Sequence, residues 1–400
     1  MNMTKKLKIA VAGAGIGGLV AALALIRKGY DVTVYEQAPE LRELGAGLQI
    51  SANGTRILIA LGLREAAEKI ACVPDGKEVR LYSTGQTWKL FDLGDASVKE
   101  FGAPYWMVHR GDLHTLLINA VAAAQPGAIK LGHKLTDLTQ DGSGVRISFE
   151  NGAVAQADVL IGADGVHSRV RQLLFGDLPA QFMGVAAWRG LVPMERLPVH
   201  MRRLVGSNWV GPGGHVITYP VRGGTILNFV AAIERDNWAV DSWTERGTIE
   251  ECAADFVGWH DDIQAMVRNL EVPYKWALLG REPLQQWAVD RVALLGDACH
   301  PTLPMLAQGA NMAIEDGMVL ARCIEADADP VAALKRFEKA RVTRTSTIVH
   351  RSTEAAQRFH NPELGNAEGA AAYVDREWTG EKIDQRYRWL FEYDALTVPV

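Results

Sequence analysis

Two stretches of this 400-residue chain bring together residue types that can do chemistry. In "GDACHP", Asp297, Cys299 and His300 stand within four residues. A carboxylate, a thiol and an imidazole so close could hold a metal ion or arm a nucleophile. Adjacent side chains such as Cys299 and His300 rarely reach one ion in tetrahedral geometry, and a metal site needs further ligands in reach. No metal is expected; the pair reads as packing or capping a loop shaped to hold something else. The second stretch is Gly13-Ala14-Gly15-Ile16-Gly17-Gly18, a GxGxxG pattern, with Glu36 further on. Gly13 allows the tight turn, Gly15 lets a pyrophosphate approach the backbone, and Gly18 lets helix and strand pack closely. Glu36 can accept hydrogen bonds from a ribose diol. A glycine-rich turn in an ordinary strand–helix–strand unit would not account for that acid. Glutamate there suits an adenosine ribose without a 2′-phosphate, as in FAD or NAD.

These residues need elements to carry them. Lys8 to Ala12 reads as a short apolar strand, a helix runs on to Lys28 with Gly29 as its stop, and Asp31 to Tyr35 is a second strand. In "ADVLIGADGVHSRVR" (Ala157 to Arg171), Asp158 to Ile161 reads as a buried strand and Gly162 to Gly165 as a turn before a helix. "RVALLGDACHP" is an apolar strand ending in Gly296-Asp297, and Pro301 and Pro304 stiffen the loop beyond it. A helix starts at Gly309, Ala310 and Asn311 and ends near Ala326; the N–H groups at its start point outward, where the helix dipole is positive. From Leu178 to Pro273 the pattern changes to antiparallel strands, with hairpin corners at Gly211 to Gly214 and Gly223-Gly224. Alternation sets His215, Ile217 and Tyr219 on one face, either solvated or converging on a ring. Pro330 to Phe359 reads as one long helix carrying Lys335, Arg336, Lys339, Arg341, Arg344, Arg351 and Arg358. That basic face suits solvent or a subunit contact such as a homodimer. Asn361 to Gly369 reads as a loop, and Trp389, Phe391 and Tyr393 as packing of a C-terminal helix.

GxGxxG, the Asp164-Gly165 pair and the Gly296-Asp297 pair occur in this order in the FAD-dependent aromatic hydroxylases, the single-component flavoprotein monooxygenases. Over nearly its whole length the chain resembles that family. "GAGLQIS" (Gly45 to Ser51), "PYWMVHRGDLH" (Pro104 to His114) and "YRWLFEYD" (Tyr387 to Asp394) resemble its salicylate hydroxylase and 3-hydroxybenzoate 6-hydroxylase branch. The resemblance implies an α/β fold in which a Rossmann-like FAD-binding domain (1–76, 95–177 and 274–355) is interleaved with an antiparallel-sheet substrate domain (77–94 and 178–273), followed by C-terminal helices (356–400). It implies tightly bound FAD, transient NADH or NADPH, a small aromatic substrate and O2, and hydroxylation through a flavin C4a-hydroperoxide. By position, Asp297 would hold the ribityl or pyrophosphate part of FAD, and Arg110 would contact FAD from the start of its helix. Asp164 and Gly165 would serve FAD and the visiting nicotinamide nucleotide. Gly47, in the Gly45-Ala46-Gly47 turn, would run beside the isoalloxazine, and Gly309, Ala310 and Asn311 would face the negative charge of the reduced ring. His215 is the expected base, since imidazole titrates near neutrality, and Tyr219 would orient the phenol. Gln49, Tyr105 and Pro304 are expected at the pocket wall, though Gln49 and Tyr105 read equally as packing. Arg189 and Arg222 lie in the right half for a substrate carboxylate, but alternation places neither. The substrate is a phenolic acid, a hydroxypyridine acid or an uncharged phenol.

Composition narrows the field. Lys and Arg number 42 against 47 Asp and Glu, a net charge of −5. A mildly acidic chain gives no electrostatic argument for nucleic acid or an anionic membrane. Cys72, Cys252, Cys299 and Cys323 form no CxxC and suit reduced thiols. Lys5, Lys6 and Lys8 before the uncharged run Ile9 to Ile26 imitate a signal peptide or a membrane span. Glycines interrupt that run and the fingerprint explains it, so no targeting segment and a cytoplasmic location are expected. An epoxidase or other flavin oxidoreductase, and a non-redox protein-binding relative of the fold, remain alternatives. Three complete cofactor motifs argue against the binder, and the Gly296-Asp297 loop against a simple NAD dehydrogenase.

Overall fold

The computed structural model describes residues 7–41, 46–236 and 245–400; Lys5, Lys6 and Gly45, named above, lie outside them. A six-stranded sheet carries the fingerprint, in the order Ala288–Val289, Val292–Leu294, Val159–Gly162, Lys8–Ala12, Asp31–Tyr35, Ile129–Lys130. All neighbours are parallel except the first pair. Its central strands are covered on both faces, which is why they read as continuous apolar runs without alternation. The register sets Ala12 beside Gly162 and Gly162 beside Leu294. The three loops that follow, at Gly13, Ala163 and Leu295, therefore leave the same edge side by side, where open parallel sheets bind ligands. Helix Ile16–Arg27 packs against helices Arg110–Ala124 and Gly309–Ala326 over this sheet.

A seven-stranded sheet forms the roof, in the order Tyr274–Gly280, Gln181–Pro193, Ile226–Glu234, Gly214–Val221, Val205–Gly211, Gly76–Leu81, Thr87–Asp92. It is antiparallel save for one parallel pair, Val205–Gly211 with Gly76–Leu81. Its last two strands come from the stretch that carries Lys77 and Phe91. The strand Tyr274–Gly280, which the boundary at 273 left with the cofactor half, pairs here with Gln181–Pro193. One face packs Trp188, Val192, Phe229 and Phe256 beneath helices Ile249–Asp255 and Asp261–Arg268. The other packs Tyr219 and Val221 with Tyr105, Met107, Leu303, Met305 and Phe359. A small sheet, Gly47–Ile50 with Trp106–His109 and Ala71–Cys72, links the halves.

The long helix spans Pro330–Phe359, with Pro330 in its first turn and Asp329 Oδ1 accepting from Val331 N–H at 3.1 Å. Its basic face is not simply solvated. Arg341 is fully buried and Arg344 nearly so, for reasons given below. The span 361–369 is not a plain loop either. It contains the short turn Pro362–Gly365 and the start of helix Ala367–Glu377, where Asn366 accepts from Glu368 N–H at 3.0 Å. Asn366 is a helix cap, and a cap looks like a loop residue in sequence. Helix Gly380–Phe391 follows.

Candidate functional site

Gly13 takes φ +107°, and a Cβ on it would lie 2.4 Å from Ala163 O, so only glycine fits this turn. A Cβ on Gly15 would meet nothing within 4 Å. The space at the start of helix Ile16–Arg27 is therefore open. Glu36 closes the cradle: Oε2 accepts from Ala14 N–H at 2.8 Å and Oε1 from Ala38 N–H at 2.9 Å. Asp297 is open to solvent yet ringed by protein, as on the floor of a cleft. Desolvation pushes its carboxyl up, while His300 and Arg110 draw it down. Arg110 N–H donates to Ala46 O at 2.7 Å, tying that helix start to the Gly47 strand. The N–H groups of Gly309, Ala310 and Asn311 have no acceptor among the described residues. An open phosphate cradle, an acid at the strand end, a cleft carboxylate and unsatisfied helix donors together fit FAD.

Two expected cofactor residues also have structural partners of their own. The Asp164 carboxylate accepts from Ser168 Oγ (2.5 Å), Arg169 N–H (2.7 Å) and Val170 N–H (3.0 Å), so it starts the helix Arg169–Phe175 and shapes the loop at Gly165. Asn311 Oδ1 accepts from Ser51 N–H at 3.1 Å, and its Nδ2 donates to Gln49 O (3.0 Å) and Ala307 O (2.8 Å). Asn311 thus offers a ligand only its backbone.

The "GDACHP" loop is braced from below. His300 Nε2 lies 2.7 Å from Asp316 Oδ2, and Asp316 Oδ1 accepts from Arg341 Nε at 2.7 Å. Arg341 also reaches Glu315 Oε2 at 2.7 Å, and Glu315 Oε1 accepts from Arg344 at 2.8 Å and from Asn53 Nδ2 at 2.6 Å. Burial alone would raise both carboxyls. Arg344 and Arg341 hold Glu315, and His300 and Arg341 hold Asp316, below the ordinary carboxylate range. Cys299 donates to Gly296 O at 3.3 Å, and burial pushes its thiol well above 9, which leaves it unreactive.

The roof meets the cofactor half at Gly47. Its N–H donates to Asn228 Oδ1 at 2.6 Å, and a Cβ on it would lie 2.4 Å from Tyr219 Cε2. Tyr105 donates to Gln49 Oε1 at 2.8 Å. Burial pushes the Tyr105 and Tyr219 hydroxyls far above 10, so both stay protonated as donors. Asn228 is buried and its Nδ2 has no partner among the described residues. Lys77 Nζ stands 6.0 Å from the Tyr105 ring centre and 5.9 Å from that of Phe91, with no ion pair among the described residues. Burial pushes Lys77 down to about 8. Pro304 is exposed; its neighbours Leu303 and Met305 join the Tyr105–Tyr219 cluster instead. A groove lined by Trp188, Arg235, Asp255 and Lys275 contains neither Tyr105, Tyr219, Lys77 nor Asn228.

His215 is buried, with Nδ1 2.6 Å from His360 Nε2 and its ring 5.2 Å from that of Phe359. Burial, and then the neighbouring His360, push its imidazole well below 6.5, so it is neutral at pH 7. It shares a strand face with Tyr219, about 13 Å away along the strand. Of the two arginines considered for a carboxylate, Arg222 forks onto Asp112 with both bonds at 2.8 Å. Arg189 is buried against the rings of Tyr274 and Trp276. Lys77, Asn228 and His360 escaped the sequence reading.

Residues 6–352 match the family described as FAD binding domain. Over 398 residues the chain is 38% identical to a 3-amino-4-hydroxybenzoate 2-monooxygenase of Streptomyces platensis, covering 99% of this chain and 98% of that protein. It is 36% identical over 403 residues to a 6-hydroxynicotinate 3-monooxygenase of Pseudomonas fluorescens, covering 100% and 98%. The crystal structure of Klebsiella pneumoniae HpxO complexed with FAD and uric acid matches with a TM-score of 0.83 at 27% identity, over 96% of this chain and 97% of that one.

Proposed function

The chain belongs to the FAD-dependent aromatic hydroxylases, and from that premise we propose that it hydroxylates a phenolic or hydroxypyridine carboxylic acid with NADH or NADPH and O2. FAD supplies, when bound, the two-electron link to NAD(P)H and the transfer of one oxygen atom of O2 to a ring carbon. The observation that carries the substrate half is the contact at Gly47, where two roof strands set Tyr219 and Asn228 against the cofactor loop. The space at Gly15 and the helix start would take the pyrophosphate, Glu36 the ribose diol, and Asp297 with Arg110 the middle of the cofactor. The N–H groups of Gly309, Ala310 and Asn311 would face negative charge on the reduced ring without a charged side chain.

Around the substrate, Tyr219 donates a hydrogen bond to a ring oxygen, while Tyr105, whose one O–H goes to Gln49, lines the wall. Neutral His215 takes the hydroxyl proton, which makes the ring a better nucleophile. Lys77 pairs with the carboxylate, since a half-buried cation lacking an anion gains from one. Both named relatives act on ring acids that carry a hydroxyl, which supports this substrate class. We place the protein in the cytoplasm, where its four free, buried cysteines stay reduced. The test is the rate of flavin reduction by NADH and by NADPH without oxygen, across hydroxylated benzoic and pyridine acids. Strong acceleration by one ring acid is expected. Fast reduction regardless of ligand would point to another flavin chemistry, such as epoxidation or oxidase activity.

A further inference from the structure

His215 is the inner end of a chain of side chains drawn from three elements. It stands near the start of strand Gly214–Val221, His360 closes the long helix, and Glu234 ends strand Ile226–Glu234. His215 Nδ1 lies 2.6 Å from His360 Nε2, and His360 Nδ1 lies 3.0 Å from Glu234 Oε1. Backbone bonds lock the three together: Gly213 N–H donates to His360 O at 3.1 Å, and Glu234 N–H donates to Gly213 O at 2.9 Å. Exposure rises along the chain. His215 is 1% exposed and His360 4%, while the Glu234 side chain is 58% exposed. The other ring nitrogen of His215 has no hydrogen-bond partner among the described residues.

The direction of these bonds follows from their outer end. A carboxylate only accepts, so His360 must carry a proton on Nδ1. In a neutral ring Nε2 is then an acceptor, and the donor facing it must be His215 Nδ1–H. That leaves His215 Nε2 bare, the form a base needs. The reverse tautomer would aim a lone pair of His360 at the carboxylate. A carboxylate orienting an imidazole in this way is a recurring device of bases in enzymes.

We propose that Glu234 and His360 are positioning residues that fix His215 as the Nε2 base and carry the substrate proton outward. The proposal rests on the reading of His215 as the base. When a hydroxyl proton arrives at His215 Nε2, the Nδ1 proton passes to His360 Nε2. The His360 Nδ1 proton passes in turn to Glu234 and to water. One proton enters and one leaves, and no electrons move. Reprotonation of the product oxygen runs the chain backwards and restores the starting tautomers.

The experiment is nitrogen NMR of the histidine rings in the FAD-loaded enzyme labelled with 15N-histidine, with His215→Asn and His360→Asn to assign signals. It needs no substrate. The wild type is expected to show His215 protonated on Nδ1 and bare on Nε2. In Glu234→Gln the amide can donate to His360 Nδ1 and the chain reverses, so the Nε2-protonated form of His215 should become the major one. In the same variant, hydroxylated product per NADH, measured with the ring acid that most accelerates flavin reduction, should fall roughly 10²-fold, the low end of what a general base contributes. Flavin reduction should change less than twofold, and Glu234→Asp should restore both readouts. Nε2-protonated His215 in the wild type, or a tautomer indifferent to Glu234→Gln, overturns the proposal while leaving His215 free to act as base. Wild-type hydroxylation by His215→Asn instead removes the base itself, and the proton path with it.

Discussion

Replacing Gly47 by alanine places the new Cβ 2.4 Å from Tyr219 Cε2, 2.8 Å from its Cζ and 2.7 Å from Asn228 Cγ. Ordinary contact begins near 3.4 Å, so the methyl arrives about 1 Å too close to two side chains at once. Neither neighbour can swing away freely. Tyr219 is 5% exposed, and Asn228 is held by its bond from Gly47 N–H. The roof must therefore lift by about 1 Å, at an overpacking cost of about 1–3 kcal/mol. A displacement of that size at reacting groups costs about 10²-fold in rate. The cradle at Gly13, Gly15 and Glu36 is untouched, so Gly47→Ala should purify with full FAD. The assay is product and hydrogen peroxide formed per NADH consumed. The variant should oxidise NADH with the aromatic ligand present but form mostly peroxide. In a Tyr219→Ala background the additional effect of Gly47→Ala should shrink, because the main clash is gone. Undiminished product yield in Gly47→Ala, or an equal penalty with Tyr219 removed, would refute the idea that this contact sets the roof's height over the cofactor.

Arg341→Met leaves Asp316 and Glu315 each short of one cation in a fully buried site, which costs about 3–5 kcal/mol. For a chain of this length that corresponds to about 4–6 °C in Tm, read by thermal unfolding of the FAD-loaded enzyme; an unchanged Tm would mean that the cluster contributes nothing. Lys77 is charged below about 8 and loses its charge as pH rises through that value. The kcat/KM for a carboxylate-bearing ring should therefore fall above pH 8, and Lys77→Met should raise KM about 10–100-fold and flatten that decline. A phenol without a carboxylate should show neither effect, and a wild-type KM in Lys77→Met would remove Lys77 from the pocket. His215 and His360 are both held below 6.5 by burial, so the unfolded chain binds more protons once pH drops under 6.5. Stability should fall from there downward by at most about 1.4 kcal/mol per pH unit for each ring, and a variant with both replaced by asparagine should melt with a shallower acid slope.

The fingerprint, the Asp164-Gly165 turn and the Gly296-Asp297 loop were legible because their constraints are local. Gly13 needs its φ, and Gly15 needs empty space above it. Their convergence was not local; it follows from the strand order that sets Ala12, Gly162 and Leu294 abreast. The roof strands announced themselves by glycine corners, whereas Tyr274–Gly280 has no alternation and pairs with a strand far upstream. Arg341 read as solvated because its acids sit on another helix. The clue was Glu315-Asp316 inside the apolar run "NMAIEDGMVLARCI", since carboxylates there must be buried and paired. Lys77 had a similar clue: it shares a strand face with Val79 and Leu81, both buried. His360 had none, because only the fold brings the end of the long helix to strand Gly214–Val221.

The buried cluster beneath the "GDACHP" loop also dictates an order of events during synthesis. Asn53 waits for Glu315, 262 residues downstream, and Glu315 in turn for Arg341 and Arg344. Arg56 waits for the Tyr393 carbonyl, 337 residues on. At about 5–20 residues per second, a ribosome needs about 15–60 s to travel from Asn53 to Arg344. Throughout that interval the fingerprint is complete as sequence but the site still lacks a braced "GDACHP" loop. FAD capture is then a late step in the life of each molecule, and a nascent chain halted short of Arg344 would leave the ribosome colourless.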